Sequence, residues 1–334
     1  MSSAWVTLIV MFQRYDMKNL FIASALLALL NVTPVFASED IPDQYPGSVL
    51  YSKPYEVIPG IWSAIGATAP PTYENAGHNN NLSFIVTGEG VVVVNSGASY
   101  KLAEALHKEI KAVTDEPVKL VINENGQNHS MLGNNYWIEQ GVPVLGHVDA
   151  AAEFEDGMGS ALAGLQGYAK ENAEGTDPMG PTETFEDERV LTMGDYEIHV
   201  MNLGPAHSPG DTQVWLPKQG FMIAGDIAFS ERMMPIFSGT CTTCWIDTWE
   251  TKFMPLQPTF IIPGHGHPTN LAQVTRYTRD YLVYLRGKIG AHIEEGGDLA
   301  SAYYVDQSPY EHLDTFEELA TKNAGVVYEE MEFE

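Results

Sequence analysis

The sequence predicts an α/β fold in which two β-sheets pack face to face and are covered by helices. Three observations lead there. Short apolar segments bounded by Gly, Pro or Asn alternate with amphipathic stretches. The alternation occurs in both halves of the chain. No internal repeat and no Ser- or Pro-rich linker divides it.

The elements follow in order. Strands are expected at Leu82–Thr87, Val91–Asn95, Val118–Asn123 and Val142–Gly146 in the first half. In the second half they are expected at Tyr196–Leu203, Gln213–Leu216, Phe221–Ala224 and Thr259–Pro263. A helix is expected over Tyr100–Val113, where Leu102, Leu106, Ile110 and Val113 form one stripe. Another is expected over Leu271–Ile293, with Asn270 as its N-cap and Leu271, Val274, Tyr281, Leu285 and Ile289 on one face. A third should run from Ala150 towards Ala169, despite its glycines. The acidic stretch Glu171–Glu188 reads as a surface loop.

Composition removes several function classes. The 334 residues carry 44 acids against 17 bases, a formal charge of −27. Phosphate backbones and anionic lipid surfaces are met by clustered Lys and Arg, so neither nucleic acid nor a membrane surface is an expected partner. A small-molecule substrate is expected instead. Two cysteines exclude a disulfide scaffold.

The N-terminus reads as an address. Residues 20–30 form an apolar run preceded by Lys18, and Val35-Phe36-Ala37 gives a small-residue cleavage pattern before Ser38. Residues 1–37 are therefore expected to be a signal peptide, with Met17 a plausible true start. An uncleaved anchor helix is the alternative. Residues 38–334 should then form one domain with a C-terminal helical extension. It would be periplasmic or secreted, with no membrane insertion after cleavage.

Three segments after strands carry metal-ligand side chains. They are Gly204-Pro205-Ala206-His207-Ser208-Pro209-Gly210-Asp211-Thr212, then Ala224-Gly225-Asp226, then Pro263-Gly264-His265-Gly266-His267. Glycine beside His or Asp lets the backbone turn sharply and leaves the side chain free at a strand end. Imidazole with carboxylate suits zinc or a similar ion.

These segments resemble the metallo-β-lactamase superfamily of metallohydrolases. The segment Asn81–Gly97 looks like that family's opening hairpin. The stretch Asn323–Glu332 is similar to the tail of its periplasmic branch, associated with sulfur-oxidation and quinoprotein systems. The resemblance spans roughly residues 55–332. It implies an αββα sandwich of two mixed sheets flanked by helices, with metal held at one edge. It also implies His207 as a ligand of a first metal, Asp226 as a bridging ligand and His265 as a ligand of a second.

The family's main motif, T-H-x-H-x-D-H, is altered. Without a gap, Asn125 and Gln127 stand at the first two histidines, His129 at the aspartate and Ser130 at the last histidine. Another register puts His129 at the last histidine but needs an insertion that spoils the exit Leu132-Gly133-Asn134. In the ungapped register two imidazoles of the first site become weak amide ligands. His129, Asp226 and His265 could still hold one zinc with an open position, as catalytic zinc sites do.

Two readings follow from the resemblance. One is an exported hydrolase with a mononuclear site, cleaving an ester, thioester, lactone or lactam with water activated by the metal. There His129, Asp226 and His265 are ligands, His207 assists, and Asn125 or Gln127 donates to the developing oxyanion. The other is an inactive binding or accessory protein of a periplasmic oxidation pathway, in which the metal site is dismantled. Asn95, where the family often has aspartate, fits the second reading as well.

Secondary candidates remain open. Cys241-Thr242-Thr243-Cys244 could be a short disulfide loop, a thiol redox pair or zinc ligands. His267 could replace His265. His147 and His78 could reach the site or serve locally. Asp211 could orient a neighbouring turn. Met233, Met234 and Phe237 could line an apolar pocket or pack in the core.

Overall fold

The structure, a computed structural model, describes residues 45–332 and 334. The expected signal segment lies outside them. Among the described residues no helix is long and apolar enough to cross a membrane.

The first sheet has seven strands in chain order: β1 (Tyr55–Ile58), β2 (Ile61–Ala64), β3 (Leu82–Val86), β4 (Val91–Val94), β5 (Val118–Ile122), β6 (Val144–His147) and β7 (Glu183–Phe185). The first four pair antiparallel, and β4 to β7 run parallel. Parallel neighbours need crossovers. Helix α1 (Tyr100–Val113) connects β4 to β5. The short α2 (Asn128–Met131) and α3 (Asn134–Glu139) connect β5 to β6, and α4 (Val148–Ala169) leads on towards β7. The second sheet holds β8 (Glu188–Met193), β9 (Tyr196–Met201), β10 (Gln213–Leu216), β11 (Phe221–Phe229) and β12 (Phe260–His265), in the order β12-β11-β10-β9-β8. Only β11 and β12 are parallel in it.

Strand alternation explains the layering. In β4, Val92 and Val94 join Ile85 and Ile122 against Val200, Val214, Ile223 and Ile262 of the second sheet. Val91 and Val93 face the other way, onto Leu102, Leu106 and Ile110 of α1. On the far side, Met222 and Ile261 pack against α7 (Arg279–Glu294) and α8 (Phe316–Met331) through Leu282, Leu285, Ala324 and Val327. This is the expected αββα sandwich of two mixed sheets flanked by helices.

Several elements differ from expectation. The helix expected over Leu271–Ile293 is two helices, α6 (Leu271–Tyr277) and α7. Thr278 breaks it with ψ −78°, and its hydroxyl accepts the Phe229 N–H at 3.0 Å, tying the break to the end of β11. Asn270 caps α6 as expected, accepting from the Gln273 N–H. Helix α4 begins at Val148. Its glycines Gly157, Gly159, Gly164 and Gly167 have open space where a Cβ would sit, so they weaken the helix without breaking it.

The stretch Glu171–Glu188 is not all loop: it contains β7 and the start of β8. Only Phe185 of β7 is buried, so the strand reads as polar in sequence. Hairpin β1–β2 and strand β8 were not expected. Strand β1 is largely half-exposed, β2 is a short buried strand apart from Trp62, and β8 alternates without a strong apolar face.

Candidate metal centre

Asp226 does not follow its strand, as the apolar run suggested; it lies within β11, which continues to Phe229. The register of β11 against β12 shifts on both sides of Gly225. Such an irregularity bends a strand and re-aims its side chains. Gly225 sits at φ 64°, and a Cβ there would lie 2.7 Å from Glu124 Oε2. A Cβ on Gly264 would lie 2.1 Å from Asp226 Oδ1. The two glycines let both strands close on one carboxylate.

The His265 turn is held from the opposite sheet. Asn81 donates through Nδ2 to the carbonyls of Pro263 and Gly266, each at 2.8 Å, and its N–H donates to Gly264 O at 2.9 Å. The His265 tautomer follows from one contact. Its Nδ1 is 2.5 Å from the Asn79 carbonyl, which only accepts, so Nδ1 carries the proton. Nε2 is therefore a bare lone pair, and it faces Asp226 Oδ1 at 3.3 Å. That oxygen has no hydrogen-bond partner. Burial holds the His265 imidazole well below its usual pKa, so it is neutral. A lone pair against a buried carboxylate oxygen calls for a cation between them.

His129 closes the group. Its Nε2 lies 3.4 Å from Asp226 Oδ2 and 3.3 Å from Glu124 Oε1, outside good hydrogen-bond geometry with either. Burial opposes a charge on it. The Asp226 and Glu124 carboxylates outweigh burial and push His129 up to about 10. Burial likewise works against the Asp226 carboxylate, but His265 and His129 outweigh it and hold Asp226 below its usual range. One ligand atom from each of His129, Asp226 and His265 lies within 4.8 Å of the others. His129 and His265 approach different oxygens of the Asp226 carboxylate, Oδ2 at 3.4 Å and Oδ1 at 3.3 Å, and imidazole with carboxylate is a donor set that suits zinc. The residues fit a metal, and a three-residue set leaves a position for water or substrate.

The other expected residues take different places. His207 Nε2 is 3.8 Å from Asp226 Oδ2, and neither ring nitrogen makes a hydrogen bond of normal geometry. The ring is boxed by Phe229, Phe237 and Trp245, and burial lowers it to about 4. Asp211 accepts from the Ser208 N–H and hydroxyl, fixing the turn beside His207.

Asn125 is committed. Its Nδ2 donates to Asp226 Oδ2 at 3.1 Å, and its Oδ1 accepts the Gln127 N–H at 3.0 Å. One of the two Nδ2 N–H groups and one of the two Oδ1 lone pairs are used in these bonds. Gln127 is uncommitted. Its buried Nε2 has no partner, and the residue lines a cavity of about 420 Å³ with His129, His207, Asp226 and His265. Ser130 turns away, donating to Asn95 Oδ1 at 2.8 Å. His129, and not Ser130, faces the Asp226 carboxylate.

Of the secondary candidates, Cys241 and Cys244 are joined in a disulfide at the start of α5 (Thr242–Thr248). His267 pairs with Glu231 at 2.7 Å. His147 caps α4, accepting the Asp149 N–H. His78 accepts the Tyr51 N–H at 2.8 Å. Phe237 lines the cavity, whereas Met233 and Met234 are core residues.

Sequence reasoning missed two residues. Glu124 stands where the motif has threonine, is 2% exposed, and puts a second carboxylate beside His129. Burial raises its pKa. Arg232 is 6% exposed and lines the cavity. An acid at a strand end, and an arginine six residues after Gly-Asp in an acid-rich chain, were the available signals.

No protein-family model matches the chain. It is 19% identical over 245 residues to the linear primary-alkylsulfatase of Pseudomonas sp. (strain ATCC 19151), across 62% of this chain and 46% of that protein. The chain thus spans less than half the length of this relative. Among solved structures it resembles the metallo-β-lactamase from Pontibacter korlensis. There the TM-score is 0.54 at 19% identity, covering 69% of this chain and 98% of that one. It also resembles the stereoselective inverting sec-alkylsulfatase Pisa1 from Pseudomonas sp. The TM-score is 0.63 at 15% identity, covering 85% of this chain and 52% of the other.

Proposed function

The chain has the metallo-β-lactamase fold, and we propose that it is a metal-dependent hydrolase with one metal per chain, cleaving an ester-type bond. The observation that carries this is the bare Nε2 of His265 facing the unpartnered Oδ1 of Asp226 inside an open cavity. His129, Asp226 and His265 would hold the ion, with zinc the identity their donor set fits. When bound, such an ion supplies Lewis acidity that activates water and polarises the bond to be cleaved.

The chain's own residues do the rest. Asn125 holds Asp226 Oδ2 in place. Asn79 fixes the His265 tautomer, the kind of outer contact that orients a ligand imidazole. Gln127 Nε2 is the donor left for charge developing on the substrate. Phe237 and Pro235 give the cavity an apolar wall. Among the named relatives two are alkylsulfatases, so sulfate esters join carboxylic esters, thioesters, lactones and lactams as substrates to screen. Export to the periplasm belongs to the same proposal and rests on the signal pattern of residues 1–37.

One observation favours the inactive reading. A protonated His129 and Arg232 would balance Glu124 and Asp226 without any metal. The test is elemental analysis with a substrate screen, each run with and without a chelator. The hydrolase reading expects about one metal per chain and turnover lost on chelation. No metal after incubation with zinc or manganese would support the inactive reading.

A further inference from the structure

Cys241 and Cys244 close a short ring, Cys241-Thr242-Thr243-Cys244, at the start of α5. A loop this short removes little freedom from the unfolded chain, so the bond is a weak staple. The start of α5 is also held without it. The Thr242 N–H donates to Glu330 of α8 at 2.7 Å, and the Thr242 hydroxyl donates to the same carboxylate.

The pair sits where a thiol can reach it. Cys241 lines a surface groove of about 390 Å³ with Ser238, Gly239 and Thr240. Its sulfur accepts the Cys244 N–H at 3.2 Å. A donor aimed at sulfur stabilises a thiolate there, and a stabilised thiolate leaves a disulfide more readily. Glu329, Glu330 and Glu334 line the same groove, and Arg286 pairs with the last two. Negative charge remains there and repels an anionic reductant.

The bond also ends a strap over the candidate metal centre. The Ile236 N–H donates to Asn323 Oδ1 at 2.9 Å, anchoring one end, and Glu330 anchors the other at Thr242. Between them Phe237 lines the cavity and packs on the His207 ring, with centroids 5.1 Å apart. The Thr240 hydroxyl donates to His207 O at 3.4 Å. Across the bond, Trp245 packs on the same ring and donates through Nε1 to Ile227 O at 3.1 Å, next to Asp226. The disulfide thus joins the two pieces that box His207.

We propose that Cys241–Cys244 is a reversible thiol–disulfide site, opened by a neutral dithiol, whose state decides how firmly Phe237 walls the cavity. This goes beyond the hydrolase reading and does not rest on it. One thiolate of the dithiol attacks Cys241 Sγ from the groove. The Cys241–Cys244 bond breaks, and Cys244 leaves with the electron pair and takes a proton. The second thiolate attacks the dithiol's own sulfur in the mixed disulfide. Cys241 then leaves as the thiolate to which the Cys244 N–H donates, and it takes the second proton. The dithiol loses two electrons and two protons and ends as a disulfide; the cysteine pair gains both.

The test incubates the folded full chain, without denaturant, with dithiothreitol or with glutathione, an anionic monothiol. Free thiols are counted by alkylation and intact mass. Both cysteines should open in dithiothreitol and close again in its oxidised form. Attack by glutathione, compared per thiolate, should be roughly tenfold slower. On opening, modification of the buried His207 by diethyl pyrocarbonate, located by peptide mass, should speed up roughly tenfold as the wall loosens. Cysteines that stay closed in dithiothreitol, or open only as the chain melts, would overturn the proposal. Equal rates for the two reductants would overturn the neutral class. Opening with no change at His207 would overturn the link to the wall. The double variant Cys241→Ser with Cys244→Ser should match the reduced chain at His207; should it fail to fold, the reduced unaltered chain decides. None of these readouts needs metal or turnover, so they stand apart from the fate of the hydrolase reading.

Discussion

Asp226 and His265 stand on adjacent parallel strands, β11 and β12, clamped by two glycines and by Asn81 from the opposite sheet. Asn125, Gln127 and His129 stand on the loop and short helix that leave β5. The strand half keeps the residue types of a metal site and the backbone geometry to aim them. The loop half presents the amides of Asn125 and Gln127 beside one imidazole, and Asn125 is held by hydrogen bonds. Asn125 spends its amide on Asp226 and on the Gln127 backbone. A side chain anchored by strand pairing is hard to replace without moving the sheet. A loop can trade a ligand for a hydrogen bond locally.

The largest effect is expected at the strand half. His265→Ala removes a ligand that nothing nearby replaces, since His267 is engaged with Glu231. Metal content should fall from about one per chain to near zero on elemental analysis. Retained metal would mean that the centre is held elsewhere.

At the loop half, Gln127→Ala should lower kcat about 100-fold while leaving metal content unchanged, the usual scale for removing one oxyanion donor. Asn125→Ala should act differently, by loosening Asp226 and weakening metal affinity. Equal effects of both substitutions on metal affinity would erase the distinction between the committed and the uncommitted amide.

Proton competition sharpens it further. His129 sits at about 10 in the metal-free chain, so below that pH a proton must leave its imidazole before metal binds. Metal affinity should rise roughly tenfold per pH unit from pH 6 to pH 9, because ligands bind deprotonated. An imidazole at its ordinary value would level off above about 6.5. Titrations with a competing chelator across that range read the slope directly.

The smallest expected change is the most specific. The double variant Asn125→His with Gln127→His places two imidazoles next to His207 and Asp226. Metal content should rise from about one to about two per chain. No second metal would mean that the strand half has also lost its geometry for a first-site ion.

The sequence showed the sandwich because its central strands are apolar on both faces, as Val91–Val94 is, with all four residues buried. It hid β1, β7 and β8 because their residues are half-exposed and mixed in polarity. It hid the break at Thr278 because a threonine hydroxyl bonding to another strand leaves no periodic mark. His129, Asp226 and His265 stood out through glycine spacing and residue type. Glu124 and Arg232 did not, since a lone acid and a lone base declare themselves only when burial strips them of water.

His129, Asp226 and His265 are proposed to hold a single metal. The most direct test is elemental analysis of the purified full chain after zinc loading and removal of free metal. About one zinc per chain is expected, lost in His265→Ala and kept in Asn125→Ala at reduced affinity. Two zinc ions in the unaltered chain, or none, would contradict it.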